Sequence, residues 1–245
     1  MMGSADLHIH SIHSDGTATV SAILHHASAH TNLDVIAITD HNTLDGSVYA
    51  RKLAPDFRVE VITGMEIATR EGHLLALFLE MPVAPGLSFV ETAKKVRLFG
   101  GLPFVAHPTS SFGQSLPVRR LLEIVQRYPG LLAGIEAENG SIINLRENAA
   151  AQALRWELGL PGIGNSDAHI LDEIGSARTL FPGTKVADLR VALEMGTVVP
   201  LPAKRGKHYF RHHIARFALR YGLGIVETIK IDAKGERLQK WVRNK

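Results

Sequence analysis

Short apolar runs alternate with longer amphipathic stretches along most of this chain, and this alternation limits the folds that it can adopt. Nine runs have the length and composition of strands, at 5–10, 34–39, 59–63, 73–79, 102–106, 133–137, 162–165, 177–181 and 198–201. Six stretches with helical periodicity lie between them, at 20–30, 43–53, 90–99, 118–128, 145–158 and 186–195. Continuous apolar strands flanked by such helices are typical of a parallel sheet that is covered on both faces.

About seven strand–helix units fit into the first 200 residues, which favours an α/β barrel with seven such units over an open parallel sheet. The 245 residues are 45% hydrophobic, enough apolar material for a substantial core. The chain has no cysteine, which excludes a disulfide scaffold, a cysteine-ligated zinc or iron–sulfur site and a thiol nucleophile. It also has neither a membrane-spanning apolar run nor a secretory signal at its start, so we expect a cytoplasmic protein.

Charge divides the sequence into two parts. Residues 203–245 contain twelve Lys and Arg against three Asp and Glu, whereas residues 1–202 are mildly acidic. We therefore predict a domain at 1–202 and a basic C-terminal extension at 203–245. Within the extension, an apolar stripe predicts a helix over 209–221. Docking of that helix on the barrel is the simpler interpretation, and contact with an anionic membrane surface or an RNA backbone is the alternative.

Histidines and acidic residues recur where the predicted strands end, which is the edge where parallel α/β folds place their sites. Because residues i and i+2 of a strand face the same side, the first pair of histidines can reach one ion. One candidate, His73, begins its strand instead, which requires either a strand that runs antiparallel to its neighbours or entry from a loop. The nine candidate metal ligands are His8, His10, Asp15, His41, Glu66, His73, His107, Asp167 and His169.

Six imidazoles and three carboxylates are too many ligands for one ion, and they predict a centre of two or three divalent ions. A single histidine at a strand end is usually a hydrogen-bonded core residue, but packing does not explain nine such groups. Imidazole and carboxylate without thiolate favour Mn²⁺, Zn²⁺ or Fe²⁺. Such ions activate water and neutralise phosphoryl oxygens, so the pattern favours phosphate ester hydrolysis.

Five segments resemble the motifs of the polymerase and histidinol phosphatase (PHP) family, in order along the chain. They are DLHIHSIHSDG at 6–16, ITDHNT at 38–43, GMEI at 64–67 with the following His73, AHP at 106–108 and GNSDAH at 164–169. The resemblance implies a distorted (β/α)7 barrel with a trinuclear metal centre. Within the family the chain is most similar to TrpH-like phosphoesterases, some of which act on nucleoside 3′,5′-bisphosphates and short RNA.

The resemblance also implies which residues would hold each ion. His8, His10, Glu66 and Asp167 would hold the first; Asp15, His41 and His169 the second; and Glu66, His73 and His107 the third. Asp15 stands where some members have histidine, which slightly favours Mn²⁺ or Fe²⁺ there. The helical insert that larger members carry before the AHP segment is absent, so a preference for nucleotides does not follow directly.

The expected reaction is hydrolysis of a phosphomonoester or terminal phosphodiester by a hydroxide that bridges the ions. Asp167 or His169 would relay a proton, and Arg178 would either contact a phosphate oxygen or form a surface ion pair. His13, Asp40 and Asn139 are candidates to orient ligands or substrate.

We expect a small phosphorylated substrate such as a nucleotide or short RNA and no stable complex with DNA. Three alternatives stay open: a histidinol-phosphate-type phosphatase, C–N cleavage of the amidohydrolase type, and a non-catalytic regulatory module that binds metal.

Overall fold

The structure is a computed structural model that describes residues 1–110, 115–141 and 147–203, together with the backbone of 225–231 and 237–243. Contacts between residues divide the chain into two compact units, Met1–Ala203 and Lys204–Lys245. The first unit contains every predicted strand and all six helices predicted between them.

Among the described residues of the first unit, six α-helices and nine strands lie close to the predicted positions. The helices are α1 (Val20–His30), α2 (Asp45–Leu53), α3 (Phe89–Leu98), α4 (Val118–Arg127), α5 (Asn148–Leu158) and α6 (Val186–Met195). The strands are β1 (Met2–Ile9), β2 (Val35–Ile38), β3 (Glu60–Ala68), β4 (His73–Leu77), β5 (Leu102–Val105), β6 (Gly134–Asn139), β7 (Gly162–Asn165), β8 (Arg178–Pro182) and β9 (Val199–Leu201). Local capping fixes two helix starts: Thr19 accepts a hydrogen bond from the Ala22 N–H, and Ser88 and Glu91 form a capping box.

All nine strands belong to one sheet with the order β7-β6-β5-β4-β3-β2-β1-β8-β9. Strands β1 to β3 are parallel to one another, and so are β5 to β7. Strand β4 is antiparallel to both of its neighbours, and Ala68 of β3 is opposite His73 of β4. The first of the two alternatives for His73 is therefore correct, because a reversed strand begins where its neighbours end.

The sheet curls until its two ends nearly meet, since β7 contacts β1, β8 and β9. Thr179 of β8 bonds to β7 across this closure: its hydroxyl accepts a hydrogen bond from the Gly164 N–H at 2.9 Å and donates one to the Gly164 carbonyl at 2.8 Å. The Leu7 N–H also donates to the side-chain carbonyl of Asn165 across the same gap. The predicted α/β barrel is confirmed, with β4 and β8 as its reversed strands.

Apolar side chains fill the inside of the barrel and both of its outer flanks. The interior cluster takes side chains from seven strands, among them Leu7, Ile62 and Phe181. Helix α6 supplies further members of this cluster, and its Val186 N–H donates to Glu60 at the start of β3. The amino-terminal end of the barrel is thus filled and covered, which leaves the carboxyl end of the strands for polar groups. One outer cluster lies under α1 and α2, and the other under α3 and α4.

The second unit contains two strands that the sequence analysis did not predict. They are β10 (Ile225–Ile231) and β11 (Arg237–Arg243), which pair antiparallel with Ile225 opposite Arg243. The helix predicted over 209–221 lies outside the described residues. Across the part of the chain that the structure describes, the helices lack the length and apolar character needed to cross a bilayer.

Candidate metal centre

Strand alternation brings Glu66 and His73 to the inside of the barrel. On β3 the side chain of Ile62 belongs to the interior cluster, so Glu66, four residues later, faces the same way. On β4 Leu75 and Leu77 point inward, and His73 shares their face. A tight turn from Thr69 to Gly72 joins the two strands, with the Thr69 hydroxyl donating to the Gly72 carbonyl at 2.6 Å. Two side chains that lie seven residues apart in sequence therefore meet inside the barrel.

His8 and His10 reach the interior because β1 changes its register. Ala5 and Leu7 belong to the interior cluster, whereas Ile9 packs under α1 on the outside. The pairing of β1 with β2 shifts between Asp6 and Ile9, and this irregularity exchanges the two faces of the strand. Both histidines are buried, and their ring centroids are 5.0 Å apart.

Two further candidates follow their strands in a backbone conformation that favours glycine. His107 has a φ of 27° and Asp167 a φ of 53°. Non-glycine residues with such angles are concentrated at functional sites, because the surrounding structure has to offset the strain. At both residues the left-handed conformation occurs directly after an extended segment and redirects the chain there.

The remaining candidates come from loops, and buried or partly buried hydrogen bonds hold the segments around Asp15 and His169 in place. The Asp40 carboxylate accepts from the Ser11 N–H at 2.7 Å and from the Ser14 hydroxyl at 2.8 Å, which fixes the loop that carries Asp15. Asp40 therefore orients a candidate ligand through the backbone. His169 donates its Nδ1–H to the Asp167 carbonyl at 2.9 Å, so its Nε2 presents a lone pair when the ring is neutral.

One carboxylate, Glu66, lies at the centre of five imidazoles. Its Oε2 is 3.2 Å from His8 Nε2, 3.4 Å from His10 Nε2 and 3.1 Å from His41 Nδ1. Its Oε1 is 2.8 Å from His73 Nδ1 and 3.0 Å from His107 Nε2. Such a carboxylate can bridge ions, and this is the role that the resemblance implies for Glu66.

The other two acids complete the cluster. Asp167 Oδ1 is 3.2 Å from His10 Nε2 and 3.5 Å from His8 Nε2, and Asp15 Oδ2 is 3.2 Å from His169 Nε2. By proximity of ligand atoms, the candidates form three overlapping groups: His10, Asp15, His41 and His169; His8, His10 and Glu66; and His41, Glu66 and His73. These groups contain seven of the nine predicted residues and share His10, His41 and Glu66. The other two join through direct contacts, His107 with Glu66, and Asp167 with His8 and His10.

Burial and charge set the protonation of these groups. Burial lowers the pKa of His41 to about 4 against the attraction of Glu66, so its ring is neutral at pH 7. Burial alone would raise the pKa of Glu66 and of Asp167, but the charge of His8 together with the charges and hydrogen bonds of the other nearby histidines outweighs it and keeps both pKa values well below the usual range. The centre therefore offers ionised carboxylates beside imidazole nitrogens, which is the donor set of a divalent ion of intermediate hardness.

Buried nitrogens without hydrogen-bond partners show that such ions fit. His8 Nε2 and both ring nitrogens of His10 are buried and have no hydrogen-bond partner among the described residues. Carboxylate oxygens lie within 3.5 Å of both Nε2 atoms without the alignment that a hydrogen bond needs. Atoms that converge without pairing are expected around a shared cation, since an orphaned buried nitrogen otherwise costs about 1–3 kcal/mol.

Glu136 is a site residue that the sequence analysis missed. Its Oε1 lies 3.0 Å from His8 Nδ1 and accepts from Asn165, and its Oε2 accepts from the His107 N–H and from Asn139. Asn139 also donates to Asp167 at 3.2 Å, which supports its predicted orienting role. The available signal was the position of Glu136 near the carboxyl end of a predicted strand, the rule that found the other candidates.

Arg178 stays outside the cluster. It begins β8 opposite Leu201, next to the fully buried Thr179, and alternation turns its side chain to the opposite face from Thr179 and Phe181. Among the described residues, none of the ion pairs that join the cluster includes Arg178. A phosphate contact for Arg178 stays a prediction.

The chain matches one protein family along most of the barrel. The PHP domain model matches residues 6–130, and the PHP-associated model matches residues 146–198. Uncharacterized protein MJ1587 of Methanocaldococcus jannaschii is 40% identical over 123 residues, which are 46% of this chain and 71% of that protein. A 5′-3′ exoribonuclease of Haemophilus influenzae is 26% identical over 199 residues, which are 77% of this chain and 63% of the relative.

A similar fold is present in a crystal structure from Bacteroides vulgatus, a two-domain protein containing a predicted PHP-like metal-dependent phosphoesterase. The TM-score is 0.69 at 18% identity, and the match covers 95% of this chain and 72% of that chain. The likeness of folds agrees with the family match and with the geometry of the centre. The chain therefore belongs to the PHP domain family and is a PHP-family metal-dependent phosphoesterase, a hydrolase of phosphate ester bonds.

Proposed function

We propose that this protein hydrolyses a phosphomonoester or a terminal phosphodiester of a nucleotide or short oligonucleotide. The observation that carries the proposal is Glu66, a buried carboxylate within 3.4 Å of nitrogens from five histidines. The 5′-3′ exoribonuclease aligned over 77% of the chain supports a nucleotide or RNA substrate. A free phosphorylated metabolite such as histidinol phosphate is the alternative substrate class.

The nine clustered residues would hold two or three divalent ions, with Mn²⁺, Zn²⁺ and Fe²⁺ as the proposed metals. When bound, such ions lower the pKa of water and neutralise the oxygens of a phosphoryl group. Hydrolysis then joins the water oxygen to phosphorus, breaks the bond from phosphorus to the leaving oxygen and delivers one proton to the leaving alcohol.

The chain's own residues orient the ligands and handle that proton. Glu136 accepts the Nδ1–H of His8 and so directs the Nε2 of His8 toward Glu66. Asp167 and His169 are the proposed proton carriers, because the partly exposed His169 ring lies at the edge of the cluster with its Nδ1 3.9 Å from Asp167 Oδ1. The proposed mechanism does not need Arg178.

For the C-terminal extension, the proposal uses only the basic charge of residues 203–245. Docking on the barrel, contact with RNA and contact with an anionic membrane surface all stay predictions, because the side chains of 204–245 lie outside the described residues. A steep salt dependence of RNA binding that disappears when residues 203–245 are deleted would support RNA contact. We propose that the protein forms no stable complex with DNA.

Replacing Asp167 with asparagine tests the proposed site. Asparagine tolerates the left-handed backbone at this position, so the barrel is expected to stay folded while turnover falls by at least about 100-fold. Phosphate release from mononucleotides, 3′,5′-bisphosphates, short RNA and DNA, and histidinol phosphate is measured with Mn²⁺ or Zn²⁺ supplied. Asp56→Asn, at an exposed position, is the control. Turnover of the D167N protein close to that of the control would contradict the proposal.

A further inference from the structure

The loop between β7 and β8 carries two of the nine clustered residues, Asp167 and His169. It covers residues 166–177, and its first part lies along the end of β1, where Ala168 forms an isolated bridge with Ile9. Because both side chains belong to one loop, the path of that loop decides where the carboxylate and the imidazole lie.

One buried carboxylate, that of Asp6 on β1, accepts hydrogen bonds from two separate points of this loop. Its Oδ1 accepts from the Ser166 N–H at 3.0 Å, and its Oδ2 accepts from the Gly175 N–H at 2.7 Å. Asp6 is fully buried, and it faces away from the barrel interior because its neighbours Ala5 and Leu7 face inward. Ser166 and Gly175 lie on either side of both clustered residues in sequence, so Asp6 fixes the two ends of the segment that carries them.

Asp167 needs such support because its backbone is in the left-handed conformation, with a φ of 53°. A residue other than glycine keeps this conformation only where the surrounding structure holds it there. The N–H groups on both sides of Asp167 donate to β1. The Ser166 N–H donates to Asp6, and the Ala168 N–H donates to the His8 carbonyl at 3.3 Å. Asp6 therefore accepts one of the two hydrogen bonds that flank the strained residue.

The two contacts of Asp6 require a carboxylate at this position. A carboxylate accepts hydrogen bonds at both oxygens, whereas the amide of asparagine accepts at one atom and donates from the other. With asparagine at position 6, the N–H of either Ser166 or Gly175 would face another donor in buried surroundings, which is unfavourable. Asp6→Asn thus keeps the shape of the side chain and releases one end of the loop.

We propose that Asp6 is a positioning residue of the metal centre, and that it sets the affinity for the ions that Asp167 and His169 would hold. The proposal rests on the proposed function, which gives these two residues their roles in binding metal. Asp6 acts through the backbone of the loop, since its carboxylate oxygens accept from Ser166 and Gly175. Coupling between two equilibria is reciprocal, so a loop that strengthens ion binding is itself held more firmly when the ion is bound.

The first test measures the binding of Zn²⁺ by titration calorimetry. Asp6→Asn is expected to weaken it about 10- to 100-fold, as removal of a group that orients ligands does. Asp188→Asn is the matched control. The Asp188 carboxylate also accepts from two backbone N–H groups, those of Thr184 and Lys185 at 3.0 Å each, but at the start of α6. The control is expected to bind Zn²⁺ as the unaltered protein does. Equal affinity in the two variants overturns the proposal.

The second test uses the unaltered protein, so it does not depend on the folding of a variant. Addition of Zn²⁺ is expected to slow hydrogen exchange of the Ser166 and Gly175 amides at least about tenfold. The Thr184 and Lys185 amides, which Asp188 accepts, should exchange at nearly the same rate with and without the ion. A purely structural role for Asp6 predicts no such selective change. Unchanged exchange at Ser166 and Gly175, or equal slowing of all four amides, overturns the proposal.

Asp167→Asn separates failure of this proposal from failure of the proposed function. If D167N loses affinity for Zn²⁺ while D6N binds it normally, the role of Asp6 is rejected and the proposed metal centre is kept. If D167N binds Zn²⁺ as the unaltered protein does, the proposed centre is rejected, and the role of Asp6 is rejected with it.

Discussion

Glu136 connects several parts of the metal centre, because its carboxylate contacts groups on β1, β7 and the segment after β5. Its two oxygens contact His8, Asn165, the His107 N–H and Asn139 at 2.9–3.0 Å. All four partners present hydrogens, and only a carboxylate can accept all of them. Residues of this kind keep a ligating histidine in one tautomer and one orientation.

We expect Glu136→Gln to weaken metal binding about 10- to 100-fold, because the amide of glutamine turns an N–H₂ group toward donors. Unfolding free energy is expected to fall by about 1–3 kcal/mol in the same variant. Titration with Mn²⁺ or Zn²⁺ followed by calorimetry measures the first effect, and urea denaturation the second.

Glu138 provides a matched control on the same strand. The pairing of β6 with β7 shifts between Glu136 and Glu138, so Glu138 turns away and accepts from Gln152 on α5. Glu138→Gln is therefore expected to bind metal as the unaltered protein does. Equal loss of affinity in both variants would show that Glu136 has no special role.

The nine clustered residues were predictable because residue type and position at a strand end are visible in sequence. The backbone irregularities that orient their side chains were not predictable from the sequence. The register shift in β1 that turns His8 inward leaves no compositional mark, and neither do the left-handed angles of His107 and Asp167. Glu136 escaped prediction for a similar reason, since its neighbour Glu138 has the same residue type and only the irregular pairing separates their directions.

At the scale of single elements, the turn between β3 and β4 positions two candidate ligands at once. Gly72 has a φ of 152°, and a Cβ there would lie 2.4 Å from the Leu116 backbone nitrogen. We expect Gly72→Ala to lower the unfolding free energy by about 3 kcal/mol, from backbone strain and steric overlap together. The displaced His73 should also weaken metal binding, which the same titration detects.

Substitution of Gly86 distinguishes the effect of backbone strain from the effect of steric overlap. It has a φ of 79°, but a Cβ at this position would meet no atom within 4 Å. Gly86→Ala is expected to cost only about 1 kcal/mol and to leave metal affinity unchanged. If the Gly72 and Gly86 variants behaved alike, the close approach to Leu116 would not matter.

Strands and helices were predicted nearly in full, whereas strand direction was not. Apolar run length and helical periodicity gave nine strands and six helices in the first unit, with boundaries shifted by a few residues. The reversal of β4 was open, because an apolar strand reads the same in either direction. His73 at its start was the one residue that made the question visible. The strands β10 and β11 were missed, because the basic, amphipathic stretch before them dominated the interpretation of the extension.

At the scale of the whole molecule, hydrogen bonds of Thr179 join β8 to β7 where the barrel closes. We expect Thr179→Val to lower the unfolding free energy by about 1–3 kcal/mol, because valine keeps the shape but removes both hydrogen bonds to Gly164. Thr179→Ser keeps the hydroxyl and loses only a methyl group, so it should retain most of the stability. Thermal and denaturant unfolding of both variants measure the difference. A serine variant as unstable as the valine variant would assign the effect to packing.

The barrel architecture followed from counting strand–helix units, but the particular contacts that close it did not. Sequence patterns specify which faces are apolar and leave the curvature of the sheet open. Closure depends on contacts between distant segments, such as Thr179 with Gly164, that no local pattern encodes.

The apolar cluster inside the barrel has a consequence for how the enzyme gains and loses its ions. Leu7, Ile62 and Phe181 belong to the interior cluster, which lies on the amino-terminal side of the histidines. Side chains of α6 complete this cluster. The interior cluster forms by burial of apolar side chains, so its formation does not require a bound cation. We therefore expect the barrel to stay folded when its ions are removed and to bind them again without unfolding.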